Sequence, residues 1–84
     1  MDETIAVYPN PARAFVNVQL ETEQDDYSIE IYALNGQRVF SEQVYIYSYD
    51  ATVQLNIENL TPGVYQIKMT GTKGNVKRSK FIKE

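Results

Sequence analysis

Along most of this chain apolar and polar residues alternate at every second position. In "RAFVNVQL" Ala14, Val16, Val18 and Leu20 fall on one side, with Asn17 and Gln19 on the other. "YSIEIYA" puts Tyr27, Ile29, Ile31 and Ala33 on one face and Ser28, Glu30 and Tyr32 opposite. "TVQLNI" turns Val53, Leu55 and Ile57 inward, and "VYQIKMT" does the same with Tyr65, Ile67 and Met69. A period of two with one wet face is the signature of antiparallel strands over a core. No helical stripe of period 3.6 competes with it.

Turn chemistry separates these runs. "ETEQDD" at 21–26 is a polar loop. Asn35-Gly36 is a strong short hairpin signal, with positive φ expected at both residues. In "LTPGVY", Pro62 fixes φ and Gly63 is expected to supply the positive φ of a type II turn. "GTKGN" at 71–75 makes the last bend. Near the start, "YPNPA" places two prolines where a strand would otherwise continue, removing two backbone donors. Pro9 and Pro11 are expected to end the first strand and hold residues 8–12 extended while the chain crosses over. The reading is seven strands, near 4–8, 13–20, 27–34, 37–46, 52–57, 63–70 and 75–83. That pattern predicts an all-β fold: a seven-stranded antiparallel, immunoglobulin-like β-sandwich. The whole chain reads as one domain, with residues 1–4 as linker or remnant ahead of it.

Size and composition narrow the function. A chain of 84 residues buries only about 60–65% of its unfolded surface, which leaves little material for a deep cleft. The hydrophobic fraction of 43% is that of a globular chain, and no apolar run reaches membrane-helix length, so membrane insertion is not expected. Met1-Asp2-Glu3 lacks the basic and apolar regions of a secretory leader, so a leader is expected outside this stretch if the protein is exported. There is no cysteine and no histidine, which removes the commonest general base, the strongest nucleophile and the commonest metal ligands. Ser28, Ser41, Ser48 and Ser79 have nothing to activate them, and no phosphate loop or zinc spacing appears. The residues point away from an enzyme and imply no cofactor.

Charge is unevenly spread. Residues 1–67 carry two arginines against ten carboxylates; residues 68–84 carry five lysines and Arg78 against Glu84 alone. The basic end admits two readings. Lys77, Arg78, Lys80, Phe81, Ile82 and Lys83 could be a strip offered to an acidic partner, or the lysines could guard an edge strand against aggregation. Nucleic acid is not expected as a partner, because the acidic remainder would repel phosphate.

Three further features carry bland and sharp readings. Glu21, Glu23, Asp25 and Asp26 could supply oxygens to calcium, but they lack the EF-hand spacing, and a solvated hairpin loop is preferred. Tyr45, Tyr47 and Tyr49 could form an exposed binding platform; rings laid over an edge of the sandwich to complete a small core are preferred. "NLT" at 59–61 fits a glycosylation acceptor and is better explained by the turn before Pro62.

Four stretches in order resemble a known family: Tyr8-Pro9-Asn10-Pro11; the strand from Ile31 through Asn35-Gly36 to Arg38; Leu60 to Pro62 followed by Gly63-Val64-Tyr65; and Lys80-Phe81-Ile82-Lys83. Together they are similar to the C-terminal sorting domain of type IX (Por) secretion cargo proteins of Bacteroidetes. The resemblance implies a seven-stranded sandwich at the end of a larger cargo, passing from the periplasm to the cell surface or beyond. It also implies contact with an outer-membrane translocon, removal by a sortase-like surface peptidase, and no catalysis. Any cut is then expected upstream of Tyr8, near residues 2–4 or before. Strand addition to the basic terminal strand is the expected mode of recognition, and a weak dimer is left open. The alternative is a surface interaction module, carbohydrate-binding or adhesive, appended to an enzyme.

Overall fold

The computed structural model describes residues 2–21, 24–47 and 49–84. Among these residues there are eight strands: β1 (Asp2–Thr4), β2 (Ala6–Tyr8), β3 (Phe15–Glu21), β4 (Asp25–Ala33), β5 (Arg38–Ile46), β6 (Asp50–Asn56), β7 (Gly63–Gly71) and β8 (Val76–Lys83). They form a five-stranded sheet in the order β1-β8-β7-β4-β5 and a three-stranded sheet in the order β2-β3-β6. Strands β2 to β8 pair antiparallel, and β1 lies parallel to β8.

The alternation does what period two requires. Val16, Val18 and Leu20 of β3 and Leu55 of β6 meet Tyr27, Ile29 and Ile31 of β4 and Tyr65, Ile67 and Met69 of β7. Phe81 of β8 closes the same core. Each of these side chains is 5% exposed or less, so one continuous apolar layer separates the sheets.

The single strand expected over 4–8 is two strands. Buried Ile5 sits between β1 and β2, and there the chain leaves one sheet for the other. Residues 2–4, expected as linker, are instead a strand of the larger sheet. Residues 8–12 are not extended throughout as expected: Tyr8 still belongs to β2 and Ala12 bridges to Lys83, but Pro9, Asn10 and Pro11 between them form bends, with cis peptides at Tyr8-Pro9 and Asn10-Pro11.

Two turns also differ from expectation. Only Gly36 takes positive φ (88°); Asn35 does not. The Gly36 amide donates to the Ala33 carbonyl (2.9 Å) and Ala33 to the Gln37 carbonyl (2.9 Å), a three-residue loop ending in a left-handed glycine. The 71–75 hairpin repeats that arrangement, with the Gly74 amide on the Gly71 carbonyl (3.1 Å) and the Gly71 amide on the Asn75 carbonyl (2.8 Å). Near Pro62, the turn falls earlier than expected, closed by the Leu60 amide on the Ile57 carbonyl (3.0 Å). Gly63 then opens β7 nearly extended at φ 159°, far from the about +80° of a type II turn.

Candidate functional site

Strand β8 obeys the same alternation as the others, and this divides the basic strip. Lys77 (4% exposed), Phe81 (1%) and Lys83 (9%) are buried, whereas Arg78, Lys80 and Ile82 are exposed. The expectation that all six form one outward surface is therefore corrected: successive strand residues point to opposite faces. The Lys83 ammonium donates to the Glu84 carbonyl at 2.9 Å.

The exposed half builds a composite face with its neighbours. Register places Lys80 beside Gln66 and Gln66 beside Tyr32 in one row across β8, β7 and β4. The next row brings Arg78, Lys68 and Glu30 together. With Ala33, Leu34 and Gly36, the residues of these rows other than Glu30 line a shallow depression of about 370 Å³. Arg38 donates to Glu30 Oε2 at 3.0 Å, and that bond holds the Glu30 carboxyl below its usual pKa. Burial, followed by a bond to Glu30, raises the Tyr32 hydroxyl. Three cations thus converge around a tyrosine and a leucine, a surface suited to a carboxylate-bearing partner.

The outer edge of β8 is not open. Asp2–Thr4 pair with Val76, Lys77 and Arg78, and the Ile5 amide continues onto the Arg78 carbonyl at 3.2 Å. Farther along, the Ile82 amide donates to Asn10 Oδ1 (2.9 Å), and the Ala12 amide to the Ile82 carbonyl (2.7 Å). The Glu84 amide donates back to the Ala12 carbonyl (2.8 Å), while Arg13 and Glu84 form an exposed ion pair at 3.3 Å. The Tyr-Pro-Asn-Pro segment is thus a clasp over the end of β8. Both the edge-guard reading of the lysines and recognition by strand addition there are corrected, because the N-terminal segment already occupies that edge.

Tyr65 makes the second motif structural. It is buried, stacked on Phe81 with ring centroids 5.6 Å apart, and its hydroxyl donates to the Thr61 carbonyl at 2.5 Å. The Thr61 hydroxyl lies 3.2 Å from the same oxygen. A tyrosine at the start of a strand bonding backbone upstream is the tyrosine corner of immunoglobulin-like folds. The Leu-x-x-Gly-Val-Tyr spacing was the available signal for it. Val64 between them is exposed.

The acidic loop contains one fixed carboxylate. Asp25 Oδ1 accepts from the Asp26 amide (2.8 Å) and the Thr72 hydroxyl, and Oδ2 accepts from the Lys73 amide (3.4 Å). These bonds, the one from Thr72 foremost, hold the Asp25 carboxyl below its ordinary value. Asp25 therefore ties the start of β4 to the 71–75 hairpin. Among the described residues no group of three or more acidic side chains is placed to hold a metal; Glu23 lies outside them. The preferred reading of the tyrosines is overturned: Tyr45, Tyr47 and Tyr49 are 41%, 74% and 62% exposed, and Tyr45 meets Tyr47 edge-on at 4.7 Å.

Residues 6–84 match the family described as "Secretion system C-terminal sorting domain". The chain belongs to that family. It is therefore a type IX secretion sorting domain, a part attached to a cargo protein, handled by the secretion system and exported to the cell surface or outside. Among curated proteins none matches the chain. Two solved structures share the fold of the sorting domain. One is a DUF3244 family protein from Bacteroides vulgatus with an immunoglobulin-like β-sandwich, at 21% identity and TM-score 0.75, covering 95% of this chain and 84% of that one. The other is dimeric latent PorU from Porphyromonas gingivalis, also at 21% identity, with TM-score 0.69. That match covers 94% of the sorting domain and 9% of PorU. Sorting family and sandwich fold together suggest a non-catalytic module.

Of the motif residues, the structure brings Asn10 to Ile82 and Tyr65 to Phe81, joining the first motif and the third to the last. Asn35 and Gly36 form their hairpin beside the basic depression, where Gly36 is a lining residue. The sequence reading missed Lys68, Tyr32 and Gln66 as neighbours of the basic strand. Their outward positions were legible from alternation, but not which strands lie side by side.

Proposed function

We propose that the exposed basic face formed by Arg78, Lys80 and Lys68, with Tyr32, Leu34 and Ile82 around it, is the surface by which the outer-membrane translocon recognises the domain. The observation that carries this reading is the convergence of three cations from adjacent strands on one depression of an otherwise acidic molecule. In this reading the domain is a single folded unit that includes β1. It accompanies an upstream cargo through the periplasm to the cell surface. A sortase-like peptidase then cuts ahead of β1, because residues 2–4 are held in the sheet and a protease needs unpaired backbone.

Truncating residues 80–84 is a poor test, because it also removes Phe81 from the core. The sharper experiment is the double charge reversal Arg78→Glu with Lys80→Glu in a full-length cargo, at positions exposed to solvent. The expected result is a folded domain whose cargo accumulates in the periplasm. Normal surface delivery of that variant refutes the assignment.

The exposure of Tyr45, Tyr47 and Tyr49 supports a second reading, an adhesive or carbohydrate-binding module. It predicts that Tyr47→Ala abolishes ligand binding, whereas the sorting reading predicts that the same change leaves delivery intact.

A further inference from the structure

The two sides of the larger sheet treat their edges in opposite ways. Lysine-rich β8 is covered by the N-terminal segment, whereas β5, which has no lysine and no proline, is the last strand on the other side. Among the described residues that edge has no cover, and an uncovered edge without lysine or proline is a template for another strand.

The backbone directions follow from the register. The Thr72 amide donates to the Asp26 carbonyl, so the backbone of Asp26 faces β7 and that of Tyr27, Ile29 and Ile31 faces β5. Their partners Val44, Glu42 and Phe40 therefore face β4. The N–H and C=O groups of Ser41, Gln43 and Tyr45 point away from the sheet. A register irregularity at Ile31/Tyr32 bounds this open ladder at one end. At the other, the Gln24 side chain donates to the Tyr47 carbonyl at 2.5 Å.

We propose that two copies of this chain pair edge to edge through β5, antiparallel about a two-fold axis at Gln43, giving one continuous ten-stranded sheet. The choice of axis is physical. Centred on Gln43, Ser41 of one copy faces Tyr45 of the other and Gln43 faces Gln43, so all three open residues find partners. On the inner face Phe40 then lies opposite Ile46 and Glu42 opposite Val44, so no like charges are directly opposed, and the two Glu42 side chains are diagonal neighbours across the axis. An axis at Glu42 instead sets Glu42 against Glu42, which is destabilising. An axis at Ser41 leaves Tyr45 unpaired and brings in the irregular end.

The other long edge, β6, is less suited. It presents Asp50, and two of its outward side chains are already engaged: Gln54 Nε2 with Asn17 Oδ1 (3.4 Å), and Asn56 Oδ1 with the Glu58 amide (2.9 Å). A single strand pair buries less than the about 1,200 Å² of a stable interface, so the association is weak and depends on concentration. Self-pairing of β5 is independent of the basic face, which lies toward β8.

The test uses the absence of native cysteine. Directly opposed residues of a hydrogen-bonded pair have Cα atoms about 5.5 Å apart, within disulfide reach. Under mild oxidation Gln43→Cys is expected to form a disulfide dimer. Tyr45→Cys alone is expected to stay monomeric, and an equimolar mixture of Ser41→Cys and Tyr45→Cys to form the mixed dimer. Sedimentation of the cysteine-free protein is expected to show concentration-dependent dimers that Gln43→Pro abolishes, because the lost N–H is one that faces away from β4. Tyr45→Cys cross-linking as fast as Gln43→Cys overturns the register. A native chain that stays monomeric at its highest soluble concentration overturns the proposal, as does a dimer indifferent to Gln43→Pro in a variant that retains its thermal transition.

Discussion

Replacing Tyr65 by phenylalanine removes one oxygen and nothing else. The ring remains stacked on Phe81 at 5.6 Å, and the apolar contacts of a side chain only 5% exposed are kept. Lost are the 2.5 Å bond to the Thr61 carbonyl and the 3.2 Å contact with the Thr61 hydroxyl. A hydrogen bond of this kind contributes a net of about 1 kcal/mol, rising to about 1–3 kcal/mol when the deserted partner stays buried. Thr61 is an exposed residue, so water can reach its carbonyl and the lower figure applies. For a domain of this size about 1 kcal/mol lowers the melting temperature by about 4–8 °C. Thr61→Ala is the control: it removes the hydroxyl contact and leaves the carbonyl bond, so its effect should be less than half as large. Thermal unfolding by circular dichroism, with urea titration for the free energy, measures both. If Tyr65→Phe melts within 1 °C of the native chain (about 0.2 kcal/mol), the corner bond does not stabilise the fold. An equal loss in the two variants would instead assign the effect to the Thr61 side chain.

Three other outcomes follow from the same geometry. Gly71→Ala places a Cβ 2.7 Å from Asp25 Oδ2 and 3.1 Å from the Tyr27 ring, so urea unfolding should show a loss of about 1–3 kcal/mol. Asp25 and Glu30 both have folded pKa values below their ordinary 3.8 and 4.5. The unfolded chain therefore binds more protons, so the stability these groups contribute is complete above their ordinary values and declines as pH falls through the folded ones. Acid titration of stability should show this slope, reduced in Asp25→Asn. Asn10→Ala deserts the Ile82 amide at the clasp; hydrogen exchange at Ile82 should quicken about fivefold, the equivalent of about 1 kcal/mol.

Alternation located β2 to β8 but not β1, and it determined the faces of β3, β4, β6 and β7 and hence the sandwich, because each residue's side is set locally by the pleat. The order of the four motifs likewise carried the family. What sequence could not carry was adjacency. Nothing in "VKRSKFIK" says that it lies between β7 and β1, so the strand read as an edge is an interior one. The same period that was applied elsewhere turns Lys77, Phe81 and Lys83 inward, against the local charge pattern that suggested a single surface. Tyr45 to Tyr49 failed for the opposite reason: large aromatic rings suit a small core, but the core was already filled by Phe81, Tyr65 and the aliphatic layer. The two prolines of Tyr-Pro-Asn-Pro marked a stop that could be read directly. That the stop folds back to clasp the last strand, through Asn10 and Ala12, depends on bonds between residues about seventy positions apart. Contacts that distant are decided by how the sheets close on one core, and only the tertiary structure specifies them.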